Sequence, residues 1–374
     1  MKFPVNVPLI TSEDRQAVLK NLESGWITGE SEMVEKFELA FAAKVGAKYG
    51  IAVSNGSNAL ELAFAVLDLK PGDEVILPSF TIISCLAPLL RMGLVPVFVD
   101  SDPSNWNMSV EAVLQKISPR TRAILVVHTY GLAVDLDSIL QICREKEIFL
   151  VEDCAEAHGV LYKGEPCGSF GDISTFSFFI NKLITTGEGG MCVTSNPEFD
   201  QKLRKLRNLA FEPETRFKHN ELGYNFRMTG MQAALGLSQL SRLDEHLSHK
   251  REIAKKYIYN LGQNLNITFQ PESDKNSLNS FWVVGIILKD TTVNSNVIRS
   301  HLESSGVGTR PFFYPLHLQP LLGKFGFAGT TDCPVSEKLW HYGFYVPTGT
   351  GMKLTDVDKI SEIISSKCKS LGII

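Results

Sequence analysis

The chain of 374 residues exceeds one ordinary domain and can bury a full enzyme site. Its 44% hydrophobic and 21% charged residues, with 29 Gly and 17 Pro, exclude disordered, collagenous and disulfide-scaffold classes. With 37 basic against 41 acidic residues, the net charge of -4 offers no field that would gather nucleic acid, and seven cysteines without C-x-x-C pairs indicate neither a disulfide framework nor a structural zinc site.

The longest apolar passage, Val75 to Leu90, is interrupted by Pro78, Ser79, Thr81, Ser84 and Pro88 and falls short of the roughly 18 residues of a membrane helix. The opening residues, MKFPVNVPLITSED, lack a secretory apolar core. A cytoplasmic protein with no nucleic-acid or membrane partner is therefore expected.

From Tyr49, short apolar runs alternate with helical patterns: GIAVSN, the helix NALELAFAVLDL, GDEVILPSF, a helix to Leu90, and VPVFVD. This is the pattern of stacked βα units. It continues through RAILVVHTYG, a helix over Leu136 to Lys146, IFLVEDCAEAHG, ISTFSFF and GGMCVTS, which predicts a large mixed-sheet α/β/α domain with helices on both faces. Near Gly230 the period becomes that of one long helix, MQAALGLSQLSRLDEHLSHKREIAKKYIYNL, leading to a second unit. NITFQPE, SFWVVGIIL, the helix NVIRSHLESSG and a terminal helix near Asp356 to Leu371 predict a smaller α+β domain. The expected division is 1–245, an N-terminal segment with the large cofactor-binding domain, and 246–374, the smaller C-terminal domain. The basic stretches Lys202 to Arg207 and Lys250 to Lys256 fall on helices and are expected on solvated faces.

Lys182 stands after the apolar STFSFF and before the glycine-rich TTGEGG, where a lysine can emerge at the carboxyl edge of a sheet. Alone it reads as a surface lysine. Upstream, FLVEDCAEAHG closes a buried strand with Glu152 and Asp153, and a carboxylate there is costly unless a cation meets it. Pyridoxal phosphate chemistry needs an Asp that ion-pairs the pyridinium nitrogen; a capping or structural aspartate is the alternative. In SNGSNALELAF, Ser54, Asn55, Gly56, Ser57 and Asn58 separate a strand from a helix, and the N–H groups and small hydroxyls of such a start hold a phosphate dianion. A plain capping loop has the same composition. Ser177 alternates with Phe176 and Phe178 along a strand, so it either adds a hydroxyl to the same phosphate or is an ordinary strand serine. Pyridoxal 5'-phosphate is the one reading that uses a phosphate cradle, a pyridinium partner and an aldehyde-capturing lysine together. Lys182 would act as Schiff base to the cofactor and then as the base that moves a proton at the substrate carbon.

The segments SGWITGE, SNGSNALELA, GDEVILPSFT, VEDCAEAHG, GSFGDISTFSFFINKLITTGEGGM and ELGYNFRMTGMQAALGLSQL stand in the order and spacing of the DegT/DnrJ/EryC1/StrS sugar aminotransferases, which the chain resembles over nearly its whole length. The resemblance implies a fold type I pyridoxal phosphate-dependent transferase that moves an amino group from L-glutamate to a nucleotide-linked keto sugar. Within the family, SNWNMSV, VHTYGLAVDLDSI and TRPFFYPLH are most similar to members acting on the 4-keto carbon of GDP-4-keto-6-deoxy-mannose to give GDP-perosamine, which implies a place in surface-glycan, lipopolysaccharide O-antigen biosynthesis.

Residue by residue, the resemblance implies Lys182 as the Schiff-base lysine, Asp153 as the pyridinium partner, Ser177 as a phosphate ligand, and Gly56 and Ser57, with Asn58 beside them, as the phosphate turn. Asn225, in GYNFRM, matches an asparagine that reaches the phosphate from the neighbouring subunit, so the implied site is shared across a homodimer. Arg227 is a candidate for nucleotide phosphate or for a surface ion pair. Glu156 stands where many relatives have Gln, close to the cofactor's phenolic oxygen, where an ionised Glu would repel a phenolate. Ile82 replaces an aromatic that stacks on the cofactor ring, and an aliphatic side chain packs there with weaker geometric preference. Trp26, Thr28, Arg310, Tyr314 and His317 are candidate contacts to sugar or nucleotide, with packing and capping as the alternatives. His128 and His158 read as structural histidines near the site, and Cys85 and Cys154 as small core fillers.

The nearest alternative keeps the reaction on a dTDP- or UDP-linked keto sugar. Sugar 3-dehydratases of this fold carry His in place of the lysine, and Lys182 argues against them. A non-enzymatic cofactor-binding regulator is a lesser alternative, and a nicotinamide oxidoreductase lacks its G-x-G-x-x-G after the early strands.

Overall fold

The computed structural model describes residues 1–212, 214–262, 265–327, 329 and 331–373. Thirteen strands occur among them: β1 (Tyr49–Val53), β2 (Glu74–Pro78), β3 (Val95–Val99), β4 (Thr121–Val127), β5 (Phe149–Asp153), β6 (Leu161–Tyr162), β7 (Glu165–Pro166), β8 (Ile173–Ser177), β9 (Gly190–Thr194), β10 (Ile267–Phe269), β11 (Val284–Leu288), β12 (Arg310–Pro311) and β13 (Gly343–Val346). Seven of them form one sheet in the order β1-β9-β8-β5-β4-β2-β3. Antiparallel pairing is confined to β9, which runs against β1 and β8, and the remaining neighbours are parallel.

A largely parallel sheet must be covered on both faces, because each strand leaves apolar side chains alternately above and below. Ile76, Ile124 and Val126 enter one hydrophobic core, while Val75, Leu77 and Leu125 enter the core on the opposite face. The fold is thus an α/β one with a mixed seven-stranded sheet, as the alternating runs predict.

The second sheet, β10-β11-β13-β12, is antiparallel throughout. Its core joins Val284 and Ile286 to Ile253 and Tyr257 of the helix Leu243–Leu261 and to Ile360 and Ile364 of the helix Leu354–Ser370.

Two expectations are corrected. The single long helix is two, Gly230–Leu240 and Leu243–Leu261, and the backbone leaves helical geometry at Arg242 (φ -114°, ψ 14°). The apolar period runs through this joint, so periodicity hides it; Arg242 Nη2 is held there by both oxygens of the buried Asp14, at 2.7 and 2.8 Å. Lys250, expected on a solvated face, is buried beneath the second sheet and donates to the carbonyls of Trp282 and Thr348. All seven cysteines are buried free thiols. Among the described residues, no helix is long and apolar enough to cross a membrane.

Candidate active site

Strand register assembles the site at one sheet edge. Asp153, the last residue of β5, pairs with Thr175 of β8; Ser177, the last of β8, pairs with Gly190 of β9, which also pairs with Val53 at the end of β1. The carboxyl ends of three strands, and the helix Gly56–Ala65 that follows β1, therefore converge where ligands of α/β sheets bind.

Adjacent β5 carboxylates face opposite ways. Glu152 is fully buried and accepts from the N–H groups of Gly168, Phe170 and Gly171 at 2.9, 2.9 and 2.6 Å, from Ser174 Oγ at 3.0 Å and from His128 Nε2 at 3.1 Å. Burial opposes its ionisation, but His128 and the backbone donors outweigh that and hold its carboxyl below the usual range. His128 Nδ1 accepts from the Val134 N–H at 3.2 Å, which leaves the proton on Nε2 for Glu152. Glu152 and His128 thus pin the strand end. Asp153 points the other way: Oδ1 accepts from the Ala155 N–H at 3.0 Å and Oδ2 from the Cys85 thiol at 3.3 Å. Burial raises its pKa, against the pull of the Ala155 N–H and of Lys182.

The helix start is built for close approach. Extended Asn55 (φ -169°) caps the helix by accepting from the Asn58 N–H at 2.9 Å, leaving the N–H groups of Gly56 and Ser57 directed outward from the first turn. Ser57 Oγ meets Ser84 Oγ at 2.8 Å, and Asn58 Nδ2 donates to Ser54 Oγ at 2.7 Å. Only glycine fits at Gly56, where a Cβ would lie 2.7 Å from the Cβ of Ser177.

Lys182 follows β8 and its Nζ lies 3.9 Å from the ring centroid of Trp282. Burial lowers its pKa, opposed by the carboxylates of Glu156 and Asp153. A cavity of about 470 Å³ is lined by Lys182, Asp153, Gly56, Ser57, Asn58 and Ser177, and Ile82, 45% exposed, closes one side. Ser84, Trp282, Phe313 and Tyr345 line it as well and are not among the sequence candidates. Ser84 shows in the sequence only as a polar break in an apolar run; Tyr345 comes from β13, and Trp282 and Phe313 from the segments that precede β11 and follow β12. A larger cavity, about 880 Å³, lies behind His158 and contains neither Lys182 nor Asp153, so volume alone does not locate the chemistry.

Other candidates lie elsewhere. Glu156 is buried beside the cavity rather than on its wall, and its Oε2 accepts from the Tyr130 N–H at 2.8 Å; burial raises its pKa, with Lys182 pulling the other way. His158 packs among Phe41, Phe176 and Phe178, and burial drives its pKa down to about 3. His317 is spent on packing, with Nδ1 2.6 Å from Ser79 Oγ and Nε2 3.2 Å from Glu337. Tyr314 donates to the Leu318 carbonyl at 3.2 Å, while Arg310 is exposed on β12 opposite Tyr345. Arg227 Nη1 donates to Asn208 Oδ1 at 2.7 Å. Asn225, Trp26 and Thr28 are exposed, and none lines the Lys182 cavity within one chain.

The residues present fit pyridoxal phosphate. A phosphate dianion suits uncapped N–H groups, three serine hydroxyls and a glycine kept bare by Ser177, and a buried carboxylate lining the same cavity suits a ring cation. A Streptococcus pneumoniae protein described as a sugar aminotransferase has the same fold in its pyridoxamine phosphate form, with TM-score 0.92, 26% identity and 100% of both chains covered. Its pyridoxal phosphate form gives TM-score 0.92 at 25% identity, covering 99% of this chain and 100% of that one. A 3-dehydratase of GDP-4-keto-6-deoxymannose with bound GDP-perosamine gives 0.90 at 27%, covering 97% of this chain and 100% of that one. Fold and cavity together define a pyridoxal phosphate-dependent sugar aminotransferase.

The chain belongs to the DegT/DnrJ/EryC1/StrS aminotransferase family, whose pattern matches residues 8–365. It is 38% identical over 366 residues to the GDP-perosamine synthase of Escherichia coli O157:H7, covering 98% of each protein.

Proposed function

We propose that the protein transfers the amino group of L-glutamate to the 4-keto carbon of GDP-4-keto-6-deoxy-mannose, giving GDP-perosamine. The observation that carries the amino-transfer half is the placing of Lys182 Nζ in one cavity with Asp153 and the Gly56–Ser57–Ser177 cradle. The sugar is supported by the 38% identity to a GDP-perosamine synthase along nearly the whole chain.

When bound, pyridoxal phosphate supplies an aldehyde that carries the amino group and a ring that draws electrons from the substrate carbon. In this reading Gly56, Ser57 and Ser177 hold its phosphate, and Asp153 gives the ring nitrogen an anionic partner. Its carboxyl, raised by burial, ionises once a cation meets it. Lys182 captures the aldehyde and, when free, takes a proton from the donor carbon and returns one to the acceptor carbon; its lowered pKa favours the neutral amine both tasks need. Ile82 packs on the ring face. Asn225, exposed in one chain, reaches the phosphate of a second copy, so the active form is a homodimer.

Incubation with L-glutamate and GDP-4-keto-6-deoxy-mannose should yield a GDP-linked amino sugar by mass spectrometry, with the dTDP- and UDP-linked keto sugars converted far more slowly. Preference for a dTDP or UDP substrate would replace the sugar assignment while leaving amino transfer in place.

A further inference from the structure

Trp282 stands on the second sheet's side of the cavity, and its indole face is where the Lys182 amine rests. The Nζ-to-centroid distance of 3.9 Å lies well inside the roughly 6 Å reach of a cation–π contact. The ring is fixed without help from Lys182. Its Nε1–H donates to the carbonyl of Asn181 at 2.9 Å, and it stacks on Phe313 with centroids 6.5 Å apart and planes 12° from parallel. Its own carbonyl accepts from Lys250 Nζ at 2.7 Å. Lys250 also donates to the Thr348 carbonyl, and among the described residues no carboxylate forms an ion pair with it. A buried cation-forming side chain spent on two backbone carbonyls tethers the helix Leu243–Leu261 to the segment that carries Trp282.

Resting on the reading that Lys182 captures the cofactor aldehyde, we infer that Trp282 is a positioning residue: its indole holds the Lys182 ammonium over the site while that side chain is protonated and not covalently engaged. The argument is one of freedom and solvation. A lysine stem has four rotatable bonds, and an amine loose in the cavity would lose reach at each release. One indole grips both ends of this lysine's neighbourhood, the preceding carbonyl through Nε1 and the amine through its face. The ring also stabilises the ammonium form against burial. The other titratable groups facing Lys182 are Asp153 at the end of β5, Glu156 beyond it, Cys85, His158, Tyr345 on β13, and Glu188 on the cavity wall.

The test uses cofactor-free protein. Pyridoxal phosphate is added across a pH series, the adduct is trapped with borohydride, and peptide mass spectrometry reads the fraction captured at Lys182. In Trp282→Leu the midpoint of capture should fall by about 0.5 to 1 pH unit, because the ammonium loses its ring. Trp282→Phe should fall less, and it carries the test if the leucine variant does not fold. Midpoints unchanged or raised in the folded variants would overturn the inference. Failure of the wild-type protein to be trapped at Lys182 would instead overturn the proposed function, and this inference with it.

Discussion

The Cβ of Ser177 occupies the space that any side chain on Gly56 would need, at 2.7 Å from where a Gly56 Cβ would stand. Both atoms belong to backbone-fixed positions, so neither can swing aside. Gly56→Ala is therefore expected to cost about 1–3 kcal/mol, the usual range for forcing a methyl into a packed site. It should also weaken retention of pyridoxal phosphate. Thermal unfolding of the cofactor-free protein and a cofactor titration check the two effects separately, and a variant indistinguishable in both would remove Gly56 from the cradle.

Asp153 is held by a thiol as well as by a backbone N–H, since Cys85 Sγ donates to its Oδ2 at 3.3 Å. Asp153→Asn keeps the shape and the Ala155 contact but loses the anion. Turnover should fall roughly 10²- to 10³-fold, the scale of removing one electrostatic stabiliser, while covalent capture of the cofactor at Lys182 persists. Near-normal rates would take the ring-partner role away from Asp153.

Lys250 has its pKa pushed down to about 7 by burial. Unfolding restores an ordinary lysine, so the unfolded chain binds more protons between about pH 7 and pH 10, and this group's contribution to stability rises with pH in that window. Below it both states carry the charge and the burial penalty is felt in full. Relative to Lys250→Met, the wild-type protein should thus gain up to about 1.4 kcal/mol per pH unit across the window. Denaturant melts of the two proteins at pH 6, 8 and 9.5 read the difference, and a pH-independent difference would contradict it.

Much of the fold was legible because β2, β4, β5, β8 and β9 are short apolar runs between turn residues, and the large sheet is made of such runs. The positions of Asp153, Gly56 and Ser177 were legible for a related reason: each sits at a strand end or helix start, where local pattern fixes position, while Lys182 stands in the bend that follows β8. Trp282, Phe313 and Tyr345 reach the cavity by tertiary packing from the second sheet and the segments flanking it, far in sequence from Lys182. Glu156 turns to the N–H of Tyr130, whose backbone is left-handed (φ 57°), a conformation no residue-type rule assigns to tyrosine. Lys250 looked solvated because its helix carries charges around it, while its own direction is set by the carbonyls of Trp282 and Thr348.

The proposed sharing of the site between subunits predicts complementation. Lys182→Ala and Asn225→Ala homodimers should each be strongly impaired, whereas hybrids formed by subunit exchange contain one site with both residues intact and should recover part of the activity. Exchange verified by native mass spectrometry without any recovery would count against Asn225 acting across the interface.

The most direct measurement is the visible absorption spectrum of the purified protein reconstituted with pyridoxal phosphate, before and after L-glutamate is added alone. The expected result is a yellow band from lysine-held cofactor that glutamate converts to the amine form, with no band of that kind in Lys182→Ala. A band that glutamate leaves unchanged would contradict glutamate as the donor, and an identical band in Lys182→Ala would contradict the role of Lys182.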